Sequence, residues 1–160
     1  MSVTSRVHTR LDRVLGWVLA AIMGVSVVNV LWQVLTRFVL ASPSSYTEEL
    51  ARYLLIWIGL LGAAYASGRH LHLAIDLLPS RLVGRPHTLV VVIIQGCVGA
   101  FAVGILVIGG IRLVGLTLSL GQTSAALGIP IGYVYLALPV SGLVMTWYVV
   151  RDLYRHLRGG

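Results

Sequence analysis

Two adjacent carboxylates, Glu48 and Glu49, stand at the head of a long apolar run and are followed by Arg52. Carboxylates deep inside a membrane segment can relay protons or bind cations. These two start a helix instead of sitting halfway along one. Arg52 is four residues beyond Glu48, the favourable order for an ion pair on a helix surface. Anchoring of an external loop and contact with an external partner fit that placement better than proton coupling. His70, His72 and Asp76 have metal-ligating side chains, but three donors in a short turn do not make the spacing of a zinc site. A haem held between helices would need histidines within the spans. Hydrogen bonding and anchoring are the expected roles there. A third set, Ser26, Asn29, Gln33 and Arg37, recurs at intervals of three, four and four, so it forms one stripe along a helix. Polar groups are costly against lipid, so the stripe must face protein or water. With no acidic residue at depth, an interhelical or intersubunit contact is expected over an ion path.

These residues are carried by elements built for a bilayer. Of 160 residues, 58% are apolar and 11% charged, with a mean hydropathy of +0.91. Soluble domains average about 25% charged residues. Four apolar runs are long enough to cross a membrane, at about 14–38, 50–68, 88–111 and 129–150, given a requirement of roughly 20 residues each. The first is longer than the apolar core of a cleavable signal, so it reads as a retained helix. The stretch 117–128 is small and polar and reads as a loop or re-entrant segment. Between the second and third runs, Leu71, Ala74, Ile75 and Leu78 fall at helical spacing, as in a short amphipathic helix lying in the interface, with Pro79 ending it. One domain, 1–160, accounts for the whole pattern: an all-α membrane protein of four transmembrane helices plus that interfacial helix.

The arginines set the orientation. Arg6, Arg10 and Arg13, then Arg69, Arg81 and Arg85, then Arg151, Arg155 and Arg158 all fall on one side of a four-span chain, which predicts cytoplasmic termini. The net charge of +7 is dispersed among these segments and forms no basic face of the kind that binds nucleic acid. Ser45-Tyr46-Thr47-Glu48 matches a capping box with Ser45 as N-cap. Gly96, Ala100 and Gly104, and likewise Gly59 with Ala63 and Gly62 with Ala66, form small-residue ridges suited to close helix approach. Cys97, the single cysteine, reads as a buried inert thiol. No nucleophile–base pair, phosphate-binding loop or metal cluster is evident, so neither an enzyme nor a cofactor is implied.

Four groups of residues together resemble a known family. They are Trp32-Gln33-Val34 with Arg37-Phe38; Tyr46-Thr47-Glu48-Glu49-Leu50-Ala51-Arg52 with Trp57 and Gly62-Ala63-Ala64; Arg69-His70-Leu71-His72 with Asp76-Leu77-Leu78; and Ala125-Ala126-Leu127-Gly128-Ile129-Pro130 with Tyr133 and Leu138-Pro139. In this order, over about residues 12–155, the chain resembles the small membrane subunit of the tripartite ATP-independent periplasmic (TRAP) transporters. The resemblance implies a subunit in the bacterial inner membrane that braces a large permease subunit. It also implies help in docking a periplasmic substrate-binding protein, for sodium-driven uptake of organic anions such as carboxylates. It places Trp32, Gln33 and Arg37 near the outer surface, facing the large subunit or stabilising the small one. Glu48, Glu49 and Arg52 would hold the external loop, while Arg69, His70 and Asp76 would fix the cytoplasmic turn. Trp57, Pro130 and Pro139 complete the set of motif residues. Apart from those subunits, the expected partner is membrane lipid. An independent homodimeric drug or ion transporter and a membrane anchor of a redox enzyme are the alternatives; the first predicts transport by the chain alone and the second a bound haem.

Overall fold

A computed structural model describes residues 3–40, 44–69 and 85–158. Helix α1 runs Val3–Phe38 and α2 Ser45–Gly68. Helix α3, Arg85–Phe101, passes through a π-helical segment, Ala102–Gly109, into α4, Gly110–Ser119. Then come a short α5, Ile131–Tyr135, and α6, Ala137–Arg158. Among the described residues, four stretches are long and apolar enough to cross a membrane: Arg10–Phe38, Ser45–Gly68, Val92–Ser119 and Ile131–Tyr154. The described residues thus form an all-α protein of four membrane-length helices. The proposed interfacial helix, with His70 and Asp76, falls outside the described residues.

Two boundaries differ from the sequence expectation. The third rod continues to Ser119, well beyond Ile111, so Arg112 lies within it and the loop is confined to 120–130. Apolar residues at 111, 113, 114, 116 and 118 keep that last stretch compatible with a helix despite its threonine and glycine. The capping box also does not form. Ser44, not Ser45, is the N-cap of α2, and it makes no side-chain cap bond. Glu48 is drawn instead to Arg52, 3.4 Å away on the same helix face.

Packing proceeds in sequence across the bundle: α1 against α2, α2 against α6, and α6 against α3 and the π segment. Helix α6 is therefore central. Its buried residues Ala137, Ser141, Met145, Tyr148 and Val149 recur every three or four positions, the period of one helix face. The core is made by Ala64, Ala102, Leu106 and Met145, flanked by Leu60, Val98, Leu138 and Val144. The π segment serves this contact. A wider π turn falls short where an α turn overshoots, and Ala102, Leu106 and Gly110 all come to lie buried.

The small residues that α6 needs are not those of the predicted ridges. A Cβ on Gly142 would lie 2.7 Å from Leu106 Cβ, and one on Gly68 would lie 2.5 Å from the Tyr148 ring. By contrast, Gly59, Gly96 and Gly104 have nothing within 4 Å of that position. The Gly59–Ala63 and Gly96–Ala100–Gly104 ridges face outward, because α6 meets α2 and the third rod on other faces. Cys97 is also exposed, contrary to the expectation of a buried thiol, since it follows Gly96 on that outward side.

Candidate functional site

The first turn of α2 carries two carboxylates with different fates. Glu48 and Arg52 are both exposed at 67% of their side-chain surface, so their pair is weak. Glu49, one residue on, is turned by 100° toward the bundle. Its Oε2 accepts N–H bonds from Ala126 at 2.8 Å and Leu127 at 3.1 Å. Its Oε1 accepts the Tyr53 hydroxyl at 2.6 Å.

The loop is folded to present those two N–H groups. Gly121 and Gly128 take φ values of 61° and 67°, a region that glycine enters without steric penalty. Between them the chain doubles back: Ser124 N donates to Ile129 O at 2.8 Å, and Ile131 N to Gln122 O at 3.0 Å. The Ser124 side chain, 3% exposed, accepts from Leu127 N at 3.1 Å. Gly128 N closes the turn onto Ser124 O at 3.1 Å. Successive backbone N–H groups converging this way form an anion-binding concavity, and the anion is the carboxylate of Glu49. Pro130 follows as N-cap of α5, in extended conformation.

Helix α1 joins the same end of the bundle. Asn29 of the polar stripe is buried and donates Nδ2 to Thr47 O at 2.8 Å. The Thr47 hydroxyl donates to Ser44 O at 2.8 Å. The stripe thus faces α2 within the chain. Further along it, Gln33 and Arg37 line an open cleft of about 390 Å³ with Ser44, Ser45 and Glu48. Trp32 is 55% exposed and points away from that contact. Trp57 is half-buried on α2, and Pro139 is buried in α6, where it packs close to Gly110.

A second clasp closes the far end. The buried Tyr148 hydroxyl of α6 donates to Asp12 of α1, and Arg151 donates to Gly68 O of α2 at 3.3 Å. Arg151 also binds Asp152 through Nε at 2.7 Å and stacks 5.2 Å from the Tyr148 ring. Arg69, which ends α2, donates to the Tyr65 hydroxyl at 2.8 Å. Tyr148→Phe keeps the ring against Gly68 but removes the bond to Asp12. It should cost about 1.5–3 kcal/mol, the range for a hydrogen bond to a charged group, read as a lower melting temperature in detergent with the helix content unchanged.

Sequence reasoning singled out Glu49 but not what it holds. Tyr53, Ser124 and the N–H groups of Ala126 and Leu127 escaped it. The available signal was a pair of glycines, Gly121 and Gly128, bracketing a serine in a stretch without charge. Asp12 and Tyr148 lie 136 positions apart, and no local pattern links them.

The described carboxylates, Asp12, Glu48, Glu49 and Asp152, all lie near the ends of the membrane-length stretches, and among the described residues no three His, Cys, Asp or Glu side chains are grouped to hold a metal. The helices and their clasps define a multi-pass membrane protein whose polar contacts serve to fasten its own ends. Comparison with known proteins gives its family. Residues 26–159 match the family "Tripartite ATP-independent periplasmic transporters, DctQ component", and the chain belongs to it. It is similar to the isethionate TRAP transporter permease protein DctMQ of Oleidesulfovibrio alaskensis, 31% identical over 74% of this chain and 18% of that protein. It is similar to the C4-dicarboxylate TRAP transporter small permease protein DctQ of Rhodobacter capsulatus, 29% identical over 72% of this chain and 50% of the relative. It also resembles the sialic acid TRAP transporter small permease protein SiaQ of Vibrio cholerae, at 28% identity over 79% of this chain and 72% of the relative. The chain thus spans about half of the second relative and under a fifth of the first.

Proposed function

We propose that this chain is the small membrane subunit of a TRAP-type secondary transporter in the bacterial inner membrane. It braces a large permease subunit and helps to dock a periplasmic substrate-binding protein. The observation that carries the reading is the family match over residues 26–159, joined to a bundle fastened at both ends by Glu49 and Tyr148. A part that stays rigid while its partner moves needs such fastenings. The isethionate relative, a permease of which the matching stretch is only 18%, supports a larger permease as the partner. Trp32, exposed on α1, and the outward ridge of Gly96, Ala100 and Gly104 on the third rod are surfaces suited to that contact.

The cargo is an organic anion such as a carboxylate, taken up with sodium; the relatives named for isethionate, C4-dicarboxylates and sialic acid support the anion class. Both termini lie in the cytoplasm, supported by the nine arginines of the tails and the 69–85 segment. The Glu49 clasp then faces the periplasm, where the binding protein docks, and Arg69, His70 and Asp76 fix the cytoplasmic turn. Affinity purification in mild detergent should bring down a much larger membrane protein with this chain, and sodium-dependent uptake should require both. Recovery of this chain alone, active by itself in vesicles, would refute the reading.

A further inference from the structure

The cleft between the C-terminal turn of α1 and the N-terminal turn of α2 has no part in the clasps. Five polar residues line its 390 Å³: Gln33 and Arg37 from α1, and Ser44, Ser45 and Glu48 from the start of α2. A volume of that order accommodates a small ligand. The lining charges are one cation and one anion. Among the described residues no carboxylate is paired with Arg37; its neighbour is the ring of Phe38, 5.8 Å from the guanidinium carbon. Glu48 is exposed and meets Arg52 only at 3.4 Å.

The level of the cleft in the bilayer identifies the class of ligand. Membrane-length helices end at Phe38 and begin at Ser45, so the cleft opens among lipid headgroups. Two turns below Arg37 on the same helix face stands Val30, 44% exposed, and two turns below Glu48 stands Leu55, 67% exposed. Seven residues of helix descend about 10.5 Å, which places both in the acyl region. A polar cleft with a cation and an anion, above an exposed apolar strip on the same two faces, matches an amphiphile with a dipolar head.

We infer that this cleft holds the phosphoethanolamine headgroup of a bilayer phospholipid. The phosphate is bound by Arg37, whose planar guanidinium matches phosphate geometry, with the Ser44 and Ser45 hydroxyls and the Gln33 amide as further donors. The ammonium is bound by Glu48, and an acyl chain lies along Val30 and Leu55. A glycerol headgroup offers Glu48 no cation, so the site prefers the zwitterion.

The test uses the full chain, purified in detergent and stripped of lipid, with native mass spectrometry as readout. Added dioleoyl phosphatidylethanolamine should give one retained lipid per chain, in preference to dioleoyl phosphatidylglycerol. Arg37→Gln and Glu48→Gln should each reduce that occupancy roughly tenfold, the loss expected for one charge-assisted contact. Ile108→Ala, on an exposed part of the third rod, should leave it unchanged. Circular dichroism confirms that each variant is folded. Equal retention of the two lipids, or full occupancy in the Arg37→Gln protein, overturns the inference. Displacement of the lipid by an equimolar amount of soluble O-phosphoethanolamine also overturns it, since the ligand would then be a free metabolite. The readout needs no permease partner, so it stands or falls separately from the subunit assignment.

Discussion

Gly142→Val should yield a protein that is made but does not survive extraction as a monodisperse species, whereas Gly142→Ala survives with a lowered melting temperature. A Cβ at this position would stand 2.7 Å from Leu106 Cβ, 2.9 Å from Val107 Cγ2 and 3.1 Å from the carbonyl oxygen of Ala102. Two of those atoms sit at or next to the backbone of the π segment, so no rotamer change relieves the clash. The third rod must move away from α6. Overpacking of this kind costs about 1–3 kcal/mol, sometimes more. Alanine should fall in that range, lowering Tm by roughly 3–10 °C for a chain of this size. Valine adds two methyl groups in the same gap and goes beyond it. The matched control is Gly104→Ala, where nothing stands within 4 Å; its Tm should not fall. Equal melting temperatures for the Gly142 and Gly104 variants would show that α6 does not pack on the π segment as described.

Glu49→Ala is the substitution expected to cost most in function. It removes the acceptor of two backbone N–H groups and of the Tyr53 hydroxyl together. The loop 120–130 then keeps its own internal bonds but loses its tie to α2. Glu49→Gln separates charge from geometry. Its amide oxygen still accepts from Ala126 and Leu127, and its NH2 group can donate to the Tyr53 oxygen in place of the bond that it received. Uptake and yield of the transport complex should therefore fall in the order wild type, Gln, Ala. Backbone hydrogen exchange at Ala126 and Leu127 should accelerate in the same order. Exposed Glu48→Ala should leave exchange at both positions unchanged, because Glu48 contacts Arg52 and not the loop. If Glu49→Ala leaves exchange there unchanged, the carboxylate is not what holds the loop.

Much of this was written in local pattern. Apolar runs bounded by arginine-bearing segments announced four spans, and Glu49 stood out as a carboxylate at a helix start. Its neighbour Glu48 fitted a motif equally well, yet the two point in different directions. A capping box is a local preference, and the pull of Arg52 on Glu48 prevailed over it. The small-residue ridges left their partner open for a different reason. Spacing by four shows that a helix has a smooth face but not which face its neighbour uses. The π segment then rephases the third rod halfway along, in a way that no 3.6-residue period can represent. Asp12 and Tyr148 needed the tertiary fold itself, since only the antiparallel return of α6 brings them together.

The two clasps also bear on how the chain is made. The Asn29–Thr47 bond spans 18 residues and can form while the ribosome is still at work. The Glu49 clasp must wait for residues 77 and 78 positions later. At about 5–20 residues per second of synthesis, that is a delay of roughly 4–15 s. The wait between Asp12 and Tyr148, over 136 positions, is longer still. During that interval the first hairpin is inserted but not fully fastened, with Glu49 bonded to Tyr53 but not yet to Ala126 and Leu127, and Asp12 not yet bonded to Tyr148. A nascent chain arrested before the last helix would therefore still lack the tie between Asp12 and Tyr148, and it is the arrival of the fourth helix that completes the fastening of the first.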